Sequence, residues 1–258
     1  MTPLLELKKL SVHYQNNDVI KKAVENIDLV INEGEIVGLV GESGCGKSTL
    51  ALSIMRLIDM PGKVYGEILW NGNNLLNLSD QNMQRLRGED IAMVFQDPFS
   101  SLNPVFRVGE QIAEVFRMHK GLSRKEAMKK TVEILGLVHI KDPQDRAKDY
   151  PHQFSGGMKQ RVAVAMAYAL SPKLLIADEP TTALDVTTQK AILELLKELK
   201  TTMLFISHNI ALVAGLCSRI YIMQSGRIME QGNPQEIVNS PKDPYTAKLV
   251  SSYREISA

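Results

Sequence analysis

GESGCGKST, residues 41–49, follows the apolar run IVGLV (36–40) and precedes a segment, 48–58, whose apolar positions recur at helical spacing. Strand, glycine-rich turn and helix in that order form the context in which Gly-x4-Gly-Lys-Ser reads as a phosphate-binding loop. Glycines let several backbone N–H groups converge on phosphate oxygens at a helix N-terminus, where the helix dipole also favours an anion. The candidate nucleotide-binding residues are therefore Gly41, Ser43, Gly44, Cys45, Gly46, Lys47, Ser48 and Thr49. Lys47 supplies a mobile positive charge near the β and γ oxygens, and the Ser48 hydroxyl is placed to reach a magnesium ion.

Composition narrows what the rest of the chain can be. Its 258 residues suffice for a sizeable core in one or two domains. Lys plus Arg at 30 against Asp plus Glu at 29 leaves no broad basic field for nucleic acid or anionic lipid. The longest apolar stretch, VAVAMAYAL at 162–170, is shorter than the roughly 18 to 20 residues a membrane-spanning helix needs. The amino-terminal residues 1–14 alternate and carry charges, unlike a secretory leader, so the expected compartment is the cytoplasm. Two cysteines, Cys45 and Cys217, are too few for a disulfide framework or a four-thiolate cluster.

Outward from the loop, the pattern is α/β. Residues 4–14 and 23–31 read as strands, and 66–70 followed by Asn71-Gly72 as a strand and tight turn, together an antiparallel lobe. Beyond IAMVFQ (91–96) the periodicity becomes helical at 108–119 and 124–135, which predicts a helical subdomain over about 97–160 inserted into the α/β core. A helix over 157–170 with Ser155 near its cap, a strand at 173–177, a helix at 187–199, a strand at 203–207 and a short helix at 211–216 follow. Residues 219–224 and 227–231 pair around Ser225-Gly226. The helix at 187–199 runs almost directly into the next strand; either it ends early or loop residues are missing.

A second element carries chemistry. LLIADE, 174–179, places two carboxylates at the end of an apolar strand, where a parallel sheet opens onto its ligand. Asp178 is assigned to magnesium and Glu179 to orienting or deprotonating the attacking water. At this point the residues describe a P-loop ATPase.

FSGGMKQR, 154–161, resembles the signature motif of ATP-binding cassette (ABC) proteins, with Phe154 and Met158 where leucine and glutamine are usual, a form similar to that of the peptide and nickel importer branch. The resemblance covers nearly the whole chain. It implies a P-loop NTPase cassette with a RecA-like core, an antiparallel β subdomain and the helical subdomain, in one nucleotide-binding domain over 1–258 with a C-terminal extension near 232–258. It also implies further roles: Tyr14 stacking on adenine; Gln96 approaching Mg2+ and the attacking water; Ser155, Gly156 and Gly157 facing the γ-phosphate of a paired cassette; Asp185 acting across the dimer, or else simply capping a helix; and His208 contacting the γ-phosphate. DPFSSLNP, 97–104, matches the segment that meets a membrane partner.

The implied cofactors are ATP and Mg2+, and the implied setting is the cytoplasmic face of a membrane, held peripherally. Partners would be two transmembrane permease subunits, a second and related cassette, and an extracytoplasmic solute-binding protein, with no nucleic acid. The tail GRIMEQGNPQEIVNSPKDPYTAKLVSS, 226–252, is similar to that of oligopeptide, dipeptide and nickel importers; read from its residues alone it is a turn-rich stretch leading into a short amphipathic helix. No cysteine-rich segment resembling an iron–sulfur site follows, which leans toward nickel, metal-chelate or shorter peptide members. Asn209 stands after His208 where aspartate is common. The rival readings are a soluble cassette ATPase of DNA or ribosome processes, a regulatory module that binds without turnover, and an exporter ATPase.

Overall fold

The alternating residues near the amino terminus pair as two long antiparallel strands, β1 (Leu5–Asn16) and β2 (Val19–Ile31). The second begins earlier than its apolar alternation indicates, because its first four residues are exposed and only their backbone pairing makes them a strand. The computed structural model describes residues 3–16, 19–97, 101–182 and 184–257, with the backbone alone at 16 and 253–257. Next come β3 (Ile36–Val40) and α1 (Lys47–Ile54). Helix α1 stops short of the expected residue 58 because Arg56 adopts φ 50°, a left-handed conformation that an α-helix cannot continue through. From there its guanidinium bonds the carbonyls of Leu75 and Leu78 at 3.3 and 2.7 Å.

Strand β4 (Gly62–Trp70) pairs with β1 and with the two-residue β5 (Asn73–Asn74). Asn71 and Gly72 between them both have positive φ, 48° and 80°, as the tight hairpin turn requires. The polar helix α2 (Asp80–Glu89) went unseen in the sequence because only Met83 on it is buried, which leaves no apolar period to read. Then follow β6 (Ile91–Val94), α3 (Val108–Lys120), α4 (Arg124–Leu137), the single-turn α5 (Pro143–Arg146) and α6 (Gly156–Tyr168). The chain closes with β7 (Leu174–Asp178), α7 (Val186–Glu198), β8 (Thr202–Ser207), α8 (Ile210–Leu216), β9 (Arg219–Gln224), β10 (Arg227–Gly232), α9 (Pro234–Asn239) and α10 (Pro244–Ser257). Helix α7 ends at Glu198, with Leu199 as its C-cap and Lys200 turning at φ 48°.

Contacts divide these elements into two compact units, residues 1–83 with 202–258, and residues 84–201. In the first, the antiparallel sheet runs β2-β1-β4-β5, and β3 lies between β8 and β9 in parallel, with β10 antiparallel on β9. Tyr221 of β9, 2 % exposed, joins the two sheets: its hydroxyl accepts the Val30 N–H at 3.2 Å. Arg219 adds a two-pronged ion pair to Glu35 at 2.9 and 2.8 Å and bonds the Val30 carbonyl at 2.8 Å. Charge-assisted forks of this kind hold orientation as well as attraction.

The second unit contains the helical block expected over 97–160 and is wider than it, taking in β6, β7 and α7. Strands β6 and β7 are parallel and buried throughout. A reciprocal capping box between Ser123 and Glu126 starts α4. Gln111 staples the segment before α3, donating to the Asn103 and Phe106 carbonyls and accepting the Asn103 N–H. Residues 98–100 of the DPFSSLNP segment lie outside the described residues.

Candidate functional site

Strand β3 delivers the glycine-rich loop. Its last residue, Val40, is in register with Ser207, the last of β8, so Gly41 and His208 leave the same carboxyl edge of neighbouring parallel strands. Ligand sites of open α/β sheets form at such edges. His208 is exposed there, and Asn209 behind it caps α8, its side chain accepting the N–H groups of Ala211 and Leu212 at 3.0 and 3.3 Å.

The loop is shaped by what a side chain would strike. Gly46 sits at φ 110°, and a Cβ there would come within 2.3 Å of the Ala23 carbonyl oxygen. Only glycine fits, and it is also the N-cap of α1, with no side-chain hydrogen bond covering the helix start and no acidic residue in its first turn. A helix start presented by glycine, with the dipole's positive end, is of the kind that suits an anion. Lys47 is 4 % exposed, and its ammonium donates to the Gly41 and Glu42 carbonyls at 2.8 and 2.9 Å. Burial pushes the Cys45 thiol up, against the opposing pull of the Lys47 ammonium.

Tyr14 is half-buried on β1 opposite Gly62, whose hypothetical Cβ would lie 2.8 Å from the tyrosine ring. The absence of a side chain at position 62 leaves room for that ring, a feature the sequence does not show.

In the second unit the register Val94↔Ala177 brings Gln96 and the Asp178-Glu179 pair to one edge of β6 and β7. The Gln96 amide donates to Glu179 Oε2 at 3.3 Å, and the Thr182 hydroxyl donates to the same oxygen at 2.8 Å. Glu179 has φ 45°, an uncommon conformation for a non-glycine residue and one that costs free energy. The carboxylate is thus aimed by a strained turn and locked by two donors. Asp178 is 4 % exposed at the strand end. Thr182 was missed in the sequence because its part depends on the turn at Glu179, which also returns a backbone bond from Thr182 N–H to the Glu179 carbonyl at 3.1 Å.

Ser155 caps α6, its hydroxyl accepting the Met158 N–H at 3.3 Å. Asp185 caps α7: its Oδ1 accepts the Thr188 N–H at 2.9 Å and its Oδ2 the Thr188 hydroxyl at 2.7 Å, which hold its carboxyl below the usual carboxylate range. Thr188 in turn meets the signature stretch, since a Cβ on Gly157 would lie 2.5 Å from Thr188 Cγ2. The helix-cap reading of Asp185 is therefore realised, and through Thr188 it is tied to Gly157. Tyr14, residues 41–49 and His208 belong to the first unit; Gln96, residues 155–157, Asp178, Glu179 and Asp185 belong to the second.

Hard oxygen donors dominate the candidate metal set of the Ser48 hydroxyl, the Gln96 amide and the Asp178 carboxylate, as magnesium prefers. Among the described residues no group of three or more His, Cys, Asp or Glu is placed to cage a metal. No helix among the described residues is long and apolar enough to cross a membrane.

Comparison with known proteins gives consistent matches. The family profile described as ABC transporter matches residues 24–182. The dipeptide transport ATP-binding protein DppD of Haemophilus influenzae is 49 % identical over 259 residues, covering 98 % of this chain and 78 % of its own length. The oligopeptide transport ATP-binding protein OppD of Bacillus subtilis is 46 % identical over 258 residues, covering 98 % and 72 %. Among solved structures, the dimeric post-hydrolysis state of the ATP-binding cassette MJ0796 bound to ADP and Pi superposes with a TM-score of 0.79 at 30 % identity, over 89 % of this chain and 98 % of that one. The structure of cbiO1 from Clostridium perfringens, part of the ABC transporter complex cbiONQ, gives 0.78 at 28 % identity, over 99 % and 98 %.

Proposed function

Because this chain belongs to the ABC transporter family and has the fold of an ATP-binding cassette, we propose that it is the ATP-binding and ATP-hydrolysing subunit of a membrane importer of dipeptides or oligopeptides. The observation that carries the enzymatic reading is Glu179, held at the end of β7 by Thr182 and Gln96. Peptides are favoured over nickel or metal chelates by the names of the relatives, DppD and OppD, at 46 to 49 % identity.

Residues 1–258 act as one nucleotide-binding module in this reading, with the helical subdomain and the C-terminal extension as its parts. Tyr14 stacks on adenine, the backbone of residues 41–49 cradles the phosphates, and Lys47 neutralises their β and γ oxygens. Ser48, Asp178 and Gln96 hold Mg2+, which when bound offsets charge on the phosphates. Glu179 takes the proton of the attacking water, and Gln96 and His208 orient water and γ-phosphate. Ser155, Gly156, Gly157 and Asp185 serve the nucleotide of a second, related cassette, so that ATP joins the pair and hydrolysis parts it. The module works at the cytoplasmic face of a membrane, peripherally bound to two permease subunits, with an extracytoplasmic protein delivering the peptide.

Glu179→Gln tests the reading. It keeps ATP binding, slows hydrolysis by at least ~100-fold and traps a cassette pair, since general-base assistance is typically worth ~10²–10⁴. Turnover near that of the parent would remove Glu179 from its role. Isolating the tagged variant from mild-detergent membranes with ATP and Mg2+ brings down permease subunits and a peptide-binding protein. Recovery of nucleic acid or ribosomal proteins in their place would overturn the importer.

A further inference from the structure

The tail set apart in the sequence, residues 226–252, reaches back to the phosphate loop within the same unit. Its path is fixed by two carboxylates. Glu230 of β10 accepts the N–H groups of Lys242 and Asp243 at 3.0 and 3.1 Å, and Asp243 accepts those of Tyr245 and Thr246 at 2.9 and 3.3 Å, starting α10. The half-buried Tyr245 then points its hydroxyl at the loop, where it accepts the Glu42 N–H at 3.2 Å from 203 residues away.

That N–H belongs to the peptide joining Gly41 to Glu42. The same peptide's carbonyl, that of Gly41, accepts the Lys47 ammonium at 2.8 Å. The unit is therefore gripped at both poles, by a tyrosine from the tail and by the loop's own lysine. Freed at its N–H, the peptide could rotate and carry the Gly41 carbonyl away from Lys47. Gly41 itself is closely packed: a Cβ on it would lie 2.1 Å from the Met223 carbonyl oxygen. Burial pushes the Tyr245 hydroxyl up, so the phenol remains neutral over the physiological range.

We propose that Tyr245 is a positioning residue for ATP, its hydroxyl fixing the Gly41–Glu42 peptide and, through that peptide, the seat of Lys47 in the phosphate loop. This rests on the reading of residues 41–49 as the ATP site and gives the tail a role in nucleotide affinity. Tyr245 touches no reacting atom. It acts on binding, and so on KM, and leaves the chemical step alone. Phenylalanine at 245 would fill the same space and lack only the acceptor.

The test uses the full chain, with Tyr245→Phe and Lys47→Ala beside the parent. ATP affinity is measured by titration calorimetry in EDTA, KM and kcat by steady-state hydrolysis with Mg2+, and Glu42 amide exchange by NMR. One lost hydrogen bond of ordinary strength corresponds to a roughly two- to tenfold weakening. Tyr245→Phe is expected to raise Kd and KM by that factor, to leave kcat unchanged and to speed Glu42 amide exchange. Parent-like ATP affinity in Tyr245→Phe would overturn the inference, as would weakened binding with the Glu42 amide still protected. A parent chain that bound no ATP would instead sink the ATP-site reading itself. Binding abolished by Lys47→Ala yet indifferent to Tyr245→Phe would leave that reading standing and sink this inference alone.

Discussion

Glu179 shows how much a single residue's setting depends on its neighbours. Its identity was readable from LLIADE, yet its φ of 45° and its two donors arise from the turn that follows β7. Thr182→Val removes the shorter donor while keeping the shape of the side chain. Hydrogen bonds to charged groups are worth about 1.5–3 kcal/mol, so hydrolysis is expected to fall by about tenfold or more with ATP affinity retained, checked by steady-state kinetics and calorimetry. Cys45 is the second case. Its buried thiol holds its proton to higher pH in the fold than in the unfolded chain, so the stability it contributes is present at neutral pH and declines as pH rises beyond the ordinary thiol range. Iodoacetamide labelling at neutral pH is accordingly slower than for a free cysteine, and Lys47→Met slows it further by removing the cation that favours the thiolate.

At the scale of elements, the approach of α6 to α7 is decided at one glycine. A methyl group on Gly157 would meet Thr188 Cγ2 at 2.5 Å, and Thr188 is held in place by both oxygens of Asp185. On Gly156 the nearest atom would be Leu184 Cδ2 at 3.8 Å, an ordinary contact. Gly157→Ala is expected to cost about 1–3 kcal/mol, as overpacking does, whereas Gly156→Ala leaves the urea midpoint almost unmoved. The Asp185 cap also carries a sign in pH. Its carboxyl is held below the usual range, so its contribution is complete above that range and is lost as pH falls through the depressed value. Acid titration of the Thr188 amide shift follows that loss directly.

Across the whole molecule, the first unit is built from both ends of the chain. Strand β3 lies between β8 and β9, and β2 is tied to β9 through Tyr221, so residues from 202 onward complete a sheet begun near residue 36. Tyr221→Phe leaves the Val30 N–H without this partner and is expected to lower stability by about 1–3 kcal/mol, measured by chemical denaturation. A chain ended at residue 201 leaves β3 without either parallel neighbour, and no cooperative unfolding of the first unit is expected from it by circular dichroism.

The sequence by itself determined the glycine-rich loop between β3 and α1, the carboxylate pair closing β7, the Ser155 helix cap and most of the strands and helices. These follow from local rules: glycine where the backbone must turn against a neighbouring carbonyl, apolar runs at strand ends, and caps before helices. Asn71-Gly72 and Ser225-Gly226 even specified their turns, since each pair takes positive φ at both residues. Helix α2 was illegible because it buries a single side chain, and the early end of α1 depended on carbonyls some twenty residues away that bind Arg56. Only the tertiary structure decided that Thr182 locks Glu179, that Thr188 fits against Gly157, and that Tyr245 holds the Glu42 N–H. A hydrogen bond or a close approach between residues distant in the chain leaves no periodicity and no spacing in the sequence; it exists once the backbone has brought the two groups within reach.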